Sequence, residues 1–191
     1  MKLTRLVSRI LALAALAAAA ISAQDTLLRI EPAQTKVEYT LDSVLHTVHG
    51  TFRLSRGDLR FDPATGRASG ELVVDAASGE SGNGSRDKRM HKDILESDRY
   101  PEIVFRLDRV EGQVAPQGVS HVQLRGMFSI HGAEHEIVMP VDVEAAGGQY
   151  TATAKFNVPY VKWGMKNPST LFLRVSQEVE ITIHTVAIVA K

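Results

Sequence analysis

From residue 25 onward, apolar and polar positions alternate with a period of two, the mark of strands with one buried face. Over 119–131, Val122, Leu124, Phe128 and Ile130 share one face, while His121, Gln123, Arg125 and Ser129 share the other. Over 136–144, Ile137, Met139, Val141 and Val143 stand against Glu136, Val138, Pro140, Asp142 and Glu144. Then Tyr150, Ala152, Ala154, Phe156 and Val158 oppose Thr151, Thr153, Lys155 and Asn157. A last strand, starting near 171, sets Val175, Val179, Ile181 and Ile183 against Arg174, Ser176, Glu178, Glu180, Thr182 and His184. Earlier, Leu72 and Val74 alternate with Glu71 and Asp75, and Ile103, Phe105 and Leu107 with Arg106 and Asp108. Adding 27–31, 36–41, 46–55 and 58–61 predicts about ten strands.

Turn chemistry separates these segments: Arg56-Gly57-Asp58, Asp62-Pro63-Ala64-Thr65-Gly66, Pro116-Gln117-Gly118, His131-Gly132-Ala133 and Gly147-Gly148. Short connections make sequential strands antiparallel. One segment breaks the pattern. Residues 85–97 read as a helix, with Met90 and Ile94 four apart, Leu95 beside them, Asp87 early and Ser85 as N-cap. Tyr100-Pro101 follows as its stop.

A dozen strand residues run roughly 40 Å. Long antiparallel strands with one apolar face must close on themselves or stack as a sandwich, and closure removes the exposed edges. The expected architecture is all-β: a lipocalin-like antiparallel barrel with one short helix near its mouth. The inward faces include Ala152, Ala154, Gly50, Gly70 and Gly126. Such small residues either permit tight packing and bending or leave a cavity. The cavity reading makes the barrel a container for an apolar chain, needing no catalytic or charged group. A filled core would make the chain a non-catalytic structural or interaction protein of the cell envelope.

The first residues read differently. Lys2, Arg5 and Arg9 precede an apolar run from Ile10 to Ala20, and Ala20-Ile21-Ser22-Ala23 offers a cleavage site. Residues 1–23 are therefore expected to be a signal peptide, and 24–191 a single periplasmic or secreted domain. The 22 basic and 22 acidic residues cancel. Removal of 1–23 leaves a mildly acidic chain, which argues against nucleic acid and against adhesion to an anionic membrane. Arg125, Lys155, Glu178 and Glu180 on the outward faces argue against a barrel inserted in lipid. With no Cys, core and sheet must supply the stability.

Residues equipped to carry chemistry are few. Seven His occur, but no His-x-His pair that would put two ligands on one strand face, so no metal is expected. Gly79-Glu80-Ser81-Gly82 is no nucleophile elbow, and no acid–base constellation stands out, so neither an enzyme nor a cofactor is expected. His46, in phase with Val48, Gly50 and Phe52, should point inward near one end. Gln177, in phase with Val175 and Val179, should do the same. Trp163 is expected in the core or at the rim. Arg86 and Arg89 form a solvated helix face, or meet an anionic headgroup if that helix caps the mouth.

The stretch Val37-Glu38-Tyr39-Thr40 with Thr47-Val48-His49-Gly50-Thr51-Phe52 resembles the opening strand pair of the YceI family. So do Gly57-Asp58-Leu59-Arg60-Phe61-Asp62-Pro63, Arg86-Asp87-Lys88-Arg89-Met90-His91, Tyr100-Pro101-Glu102-Ile103-Val104-Phe105 and Leu124-Arg125-Gly126-Met127-Phe128-Ser129-Ile130-His131-Gly132, in order. Asp42-Ser43 and Val161 to Thr170 depart from the family's commoner pattern. The resemblance implies a lipocalin-like periplasmic barrel that binds polyisoprenoids or similar long-chain amphiphiles, without catalysis. Barrel-lining contacts for such a ligand are then Tyr39, His46, Val48, Phe52, Met90, Ile94, Phe105, Phe128, Phe156, Trp163 and Gln177.

Overall fold

The structure, a computed structural model, describes residues 26–62 and 65–190; the expected signal peptide lies outside them. Nine strands form one sheet: β1 (Thr26–Ile30), β2 (Lys36–Asp42), β3 (Thr47–Phe61), β4 (Arg67–Glu80), β5 (Glu102–Glu111), β6 (Gly118–Ile130), β7 (Ala133–Ala146), β8 (Gln149–Val158) and β9 (Val179–Val189). From β2 to β9 each strand pairs antiparallel with the next, and β9 returns to β2. The sheet is therefore a closed up-and-down barrel of eight staves, not a sandwich.

The seam stave is made of two strands. Tyr39 of β2 lies between Gly50 and Ile181, and Leu28 of β1 lies between Leu59 and Val189. A 3-10 turn at Pro32–Gln34 separates them; proline has no N–H to give a ladder, so the stave breaks there.

Two hairpins follow their sequence signals closely. His131 and Gly132 (φ 52° and 76°) join β6 to β7, and Gly147 and Gly148 (φ 59° and 82°) join β7 to β8. Two successive positive φ values give the turn whose twist matches the flanking strands. Another expected turn, Arg56-Gly57-Asp58, lies inside β3 instead, merging two predicted strands into one. A register shift between Leu54 and Arg56 against β4 bends the strand. Gly57 marks a close approach there, since a Cβ would stand 2.6 Å from Leu72 Cδ2.

The last strand also begins later than its alternation predicts, at Val179 rather than near 171. Side chains divert the ladder upstream. Ser169 Oγ accepts from Val175 N at 2.9 Å, and Asn167 Nδ2 donates to Val175 O at 3.4 Å. Groups that would pair with a neighbouring strand are thus satisfied locally. Among the described residues, one isolated bridge, Ser43 with Val175, ties the segment to the barrel wall.

The helix comprises α1 (Gly84–Arg89) and a wider π-helical turn at Met90–Leu95, ended by Glu96 in the left-handed region (φ 47°). Its N-cap is Asn83 rather than Ser85: Asn83 Oδ1 accepts from Arg86 N at 3.0 Å. Asp87 instead accepts from the backbone and hydroxyl of Ser81, pinning the helix start to the end of β4.

Outward faces carry cross-strand ion pairs, among them Arg56–Glu102 (2.9 Å), Arg106–Glu134 (2.8 Å), Arg125–Glu136 (2.8 Å) and Lys155–Glu180 (3.0 Å). Exposed pairs of this kind add little stability each. They do mark a wall suited to water. No helix among the described residues is long and apolar enough to cross a membrane.

Candidate functional site

The inward faces enclose two apolar chambers. The inner one, about 150 Å³, lies away from the helix, with Leu107, Val122, Met139, Val141, Ala154 and Ala187 in its wall. The outer one, about 550 Å³, lies under the helix and the β8–β9 loop and includes Val48, Phe52, Met90, Ile94, Ile130 and Met165. Val37, Val74, Ile103, Phe128, Phe156 and Ile183 line both. That ring is the waist where the chambers meet. Phe128 of β6 and Phe156 of β8, the staves on either side of β7, pack edge to face within it, with centroids 6.1 Å apart.

The inner chamber has no charged side chain in its lining; Thr35, Tyr150 and Thr185 are its polar residues. Polarity rises only at the mouth, where Ser43, His46, Ser85, Arg86 and Arg89 join the wall. Arg86 is held by Ser81, donating to its hydroxyl at 2.7 Å and its carbonyl at 3.0 Å. Arg89 is exposed. Tyr39 is buried below this rim; burial pushes its phenol up, and a hydrogen bond with Ser81 pulls more weakly the other way. The site has a greasy bore and a cationic lip.

The β8–β9 loop, 159–178, closes part of the mouth. Tyr160 Oη donates to Ser176 O at 2.6 Å inside the loop, and burial raises this phenol's pKa to about 12. It stays a neutral donor at any ordinary pH. Met165, from the same loop, is 3% exposed and plugs one side of the outer chamber.

The small inward residues divide into two kinds. Ala152 and Ala154 line the inner chamber and do leave space. The glycines do not. The Tyr39 ring lies against Gly50 and the Phe105 ring against Gly126, so aromatic groups from neighbouring strands occupy the room a side chain would take. Gly70 has φ 122° and faces the Asp58 backbone, a bend rather than a hollow.

Of the residues singled out from sequence, Tyr39, His46, Val48, Phe52, Met90 and Ile94 line the outer chamber, Phe105 the inner, and Phe128 and Phe156 both. His46 does so as an exposed lip residue, not a buried one. Gln177 lies outside the lining; it is exposed in the loop that replaces the early part of the last strand, and its carbonyl accepts from Val161 N. Trp163 is also outside the lining. It backs the waist from the mouth side, 5.8 Å from the Phe128 ring.

Trp163 stacks flat on His135, at 4.0 Å and 4°. His135 was not singled out, although its register opposite Phe128 turns it inward; alternation from Ile137 backward was the available signal. Its Nε2 is buried without a hydrogen-bond partner among the described residues, and burial lowers its pKa from 6.5. The unfolded chain therefore takes the proton more readily. This stability contribution is complete above 6.5 and fades as pH falls through the folded value. Urea midpoints measured at about pH 7.5 and pH 5 should fall further for the native protein than for His135→Phe, which has no proton to gain.

No three His, Asp or Glu side chains converge as a metal site among the described residues.

The YceI-like domain family model matches residues 28–187. No curated protein matches the chain in sequence. Among solved structures, Burkholderia cenocepacia BcnA superposes with a TM-score of 0.70 at 21% identity, covering 82% of this chain and 98% of its own. A polyisoprenoid binding domain from Saccharophagus degradans, implicated in plant cell wall breakdown, gives 0.65 at 12%, covering 85% and 98%. The Campylobacter jejuni YceI protein gives 0.61 at 17%, covering 75% and 86%. At these identities the structural likeness speaks for the fold.

Proposed function

The chain belongs to the YceI-like family, and from that premise we propose that it is an exported, non-catalytic binding protein that holds one long-chain molecule in its lumen. The ligand class is a polyisoprenoid, an isoprenoid quinone or a fatty-acid-like amphiphile, and the role is in envelope stress or in lipid or quinone handling. Export rests on the basic and apolar pattern of residues 1–23. The polyisoprenoid binding named for the Saccharophagus domain supports the ligand class.

One observation carries the reading: an uncharged hollow adjoins a wider chamber, six residues lining both, and charged side chains join the lining only at the lip. Each methylene moved from water into such a bore gains about 0.8 kcal/mol, before the cost of immobilising the chain. The outer chamber, about 550 Å³, falls in the size range of ordinary ligand pockets, the inner one adds about 150 Å³, and a packed structural core would lack both.

Protein purified from its native envelope should release a long-chain lipid on extraction with organic solvent, identified by mass spectrometry. Repeated extraction of an empty barrel, together with no uptake of an added polyprenol or fatty acid, would sink the proposal.

A further inference from the structure

Two turns beside the mouth present large apolar side chains to solvent, at positions where turn chemistry favours Gly, Asn, Asp or Pro. The first is Ser43 to His46, closed by Ser43 N donating to His46 O at 3.2 Å, with Val44 and Leu45 65% and 71% exposed. The second is Thr170 to Leu173, closed by Thr170 N donating to Leu173 O at 2.8 Å, with Leu171 and Phe172 94% and 90% exposed. These are the four most exposed large apolar side chains among the described residues. They form one feature, because Val44 N donates to Arg174 O at 3.0 Å and Ser176 N to Asp42 O at 2.8 Å.

The paired tips are also the rim of the lumen. Ser43, His46, Leu173 and Val175, their immediate neighbours, line the outer chamber. Charge around the rim is one-sided. The β8–β9 loop, 159–178, contains Lys162, Lys166 and Arg174 against a single acid, Glu178, at its far end. The helix adds Arg86, Lys88, Arg89 and Lys92 against Asp87 and Asp93, with Asp87 engaged by Ser81. Asp42, beside the first tip, accepts from Thr47. Net charge alone argues against adhesion to an anionic membrane, but its distribution reverses that expectation at this end: cations gather around the apolar tips, while several acids pair with Arg and Lys along the barrel wall.

We propose that the barrel docks mouth-first on the surface of an anionic bilayer, with Val44, Leu45, Leu171 and Phe172 entering the interface and Lys166 and Arg174 meeting headgroups. Apolar side chains set in a cationic collar bind interfaces by both terms at once. A second copy of the chain is the poorer occupant, because a twofold pairing would bring the two collars together. Docking goes beyond lumen binding and does not depend on it. Passage of a chain from bilayer to lumen, along a path that avoids water, rests on the ligand reading above.

The test is co-sedimentation of the protein with vesicles of phosphatidylglycerol and phosphatidylethanolamine, and separately of phosphatidylcholine. Binding should favour the anionic vesicles and weaken with salt. Leu171→Ser with Phe172→Ser should cut the partition about tenfold or more while leaving the unfolding midpoint in place, since both residues are solvent-exposed. Lys166→Glu with Arg174→Glu should remove the preference for anionic lipid. Ala154→Trp, which alters only the bore, should leave docking intact, so a failed lumen and a failed dock are told apart. Absent binding to anionic vesicles, or binding indifferent to Leu171→Ser and Phe172→Ser, would overturn the proposal. A concentration-dependent dimer that those two changes dissolve, without vesicle binding, would overturn it too and give the patch to a second copy.

Discussion

Gly126→Ala should lower the unfolding free energy by about 3 kcal/mol, at the upper end of what overpacking one position costs. An added Cβ would fall well under 3.0 Å from the Arg106 carbonyl oxygen, and 2.8 Å from the Phe105 ring. The ring can turn aside. The carbonyl is held, because Met127 pairs with Arg106 and Gly126 with Leu107, and the register shift comes only beyond them, between Leu107 and Arg109. The change therefore pushes two staves apart rather than repacking one side chain. Phe105→Leu placed in the same chain should recover only a minor part of the loss, since it removes the ring and leaves the backbone clash. Gly84→Ala is the control: nothing lies within 4 Å of its Cβ position, it opens α1, and alanine there should be neutral or mildly stabilising. Urea denaturation of the four proteins decides it. A Gly126→Ala midpoint equal to the native one would mean that the close strand approach is not what the structure shows.

The contrast between these glycines and their neighbouring alanines marks how far alternation can be read. Period two assigns Val122, Leu124, Phe128 and Ile130 to one face, and the structure puts them there, because a strand's side chains have only two directions to choose from. It cannot say what fills the space in front of a small residue. That depends on the neighbouring strands: Tyr39 covers Gly50 and Phe105 covers Gly126, whereas Ala154 lines the inner chamber. The same limit explains Gln177. Its phase with Val179 is real, but phase carries meaning only while the ladder runs, and Asn167 and Ser169 end the ladder by bonding Val175 themselves. Arg56-Gly57-Asp58 misleads for a related reason. A glycine between polar residues signals a turn or a close approach equally well, and only the packing of Leu72 and Ile30 against Gly57 separates them. Closure into a barrel was legible from strand length and short turns. The two-chambered division was not, since it depends on where Phe128 of β6 and Phe156 of β8, two staves apart, meet inside the bore.

Ala154→Trp should abolish tight binding of long ligands while leaving the barrel at least as stable as before. Ala154 sits opposite Val141 on one side and Ile183 on the other, and all three line the inner chamber. An indole grown from this Cβ enters a space of about 150 Å³ and reaches toward the waist. A ligand tail that loses about five methylenes of burial forfeits about 4 kcal/mol, or about a thousandfold in affinity. Ligands short enough to remain in the outer chamber should keep theirs. Stability moves the other way, because filling an apolar hollow buries surface without displacing neighbours. The opposite pair of results belongs to a packed barrel: no change for long ligands, and a loss of several kcal/mol from overpacking. Displacement of a fluorescent fatty acid by a graded series of chain lengths, measured with urea midpoints on the same preparations, separates the two. The diagnostic outcome is a cut-off in chain length, because a constriction at one depth in the bore penalises only tails that reach it.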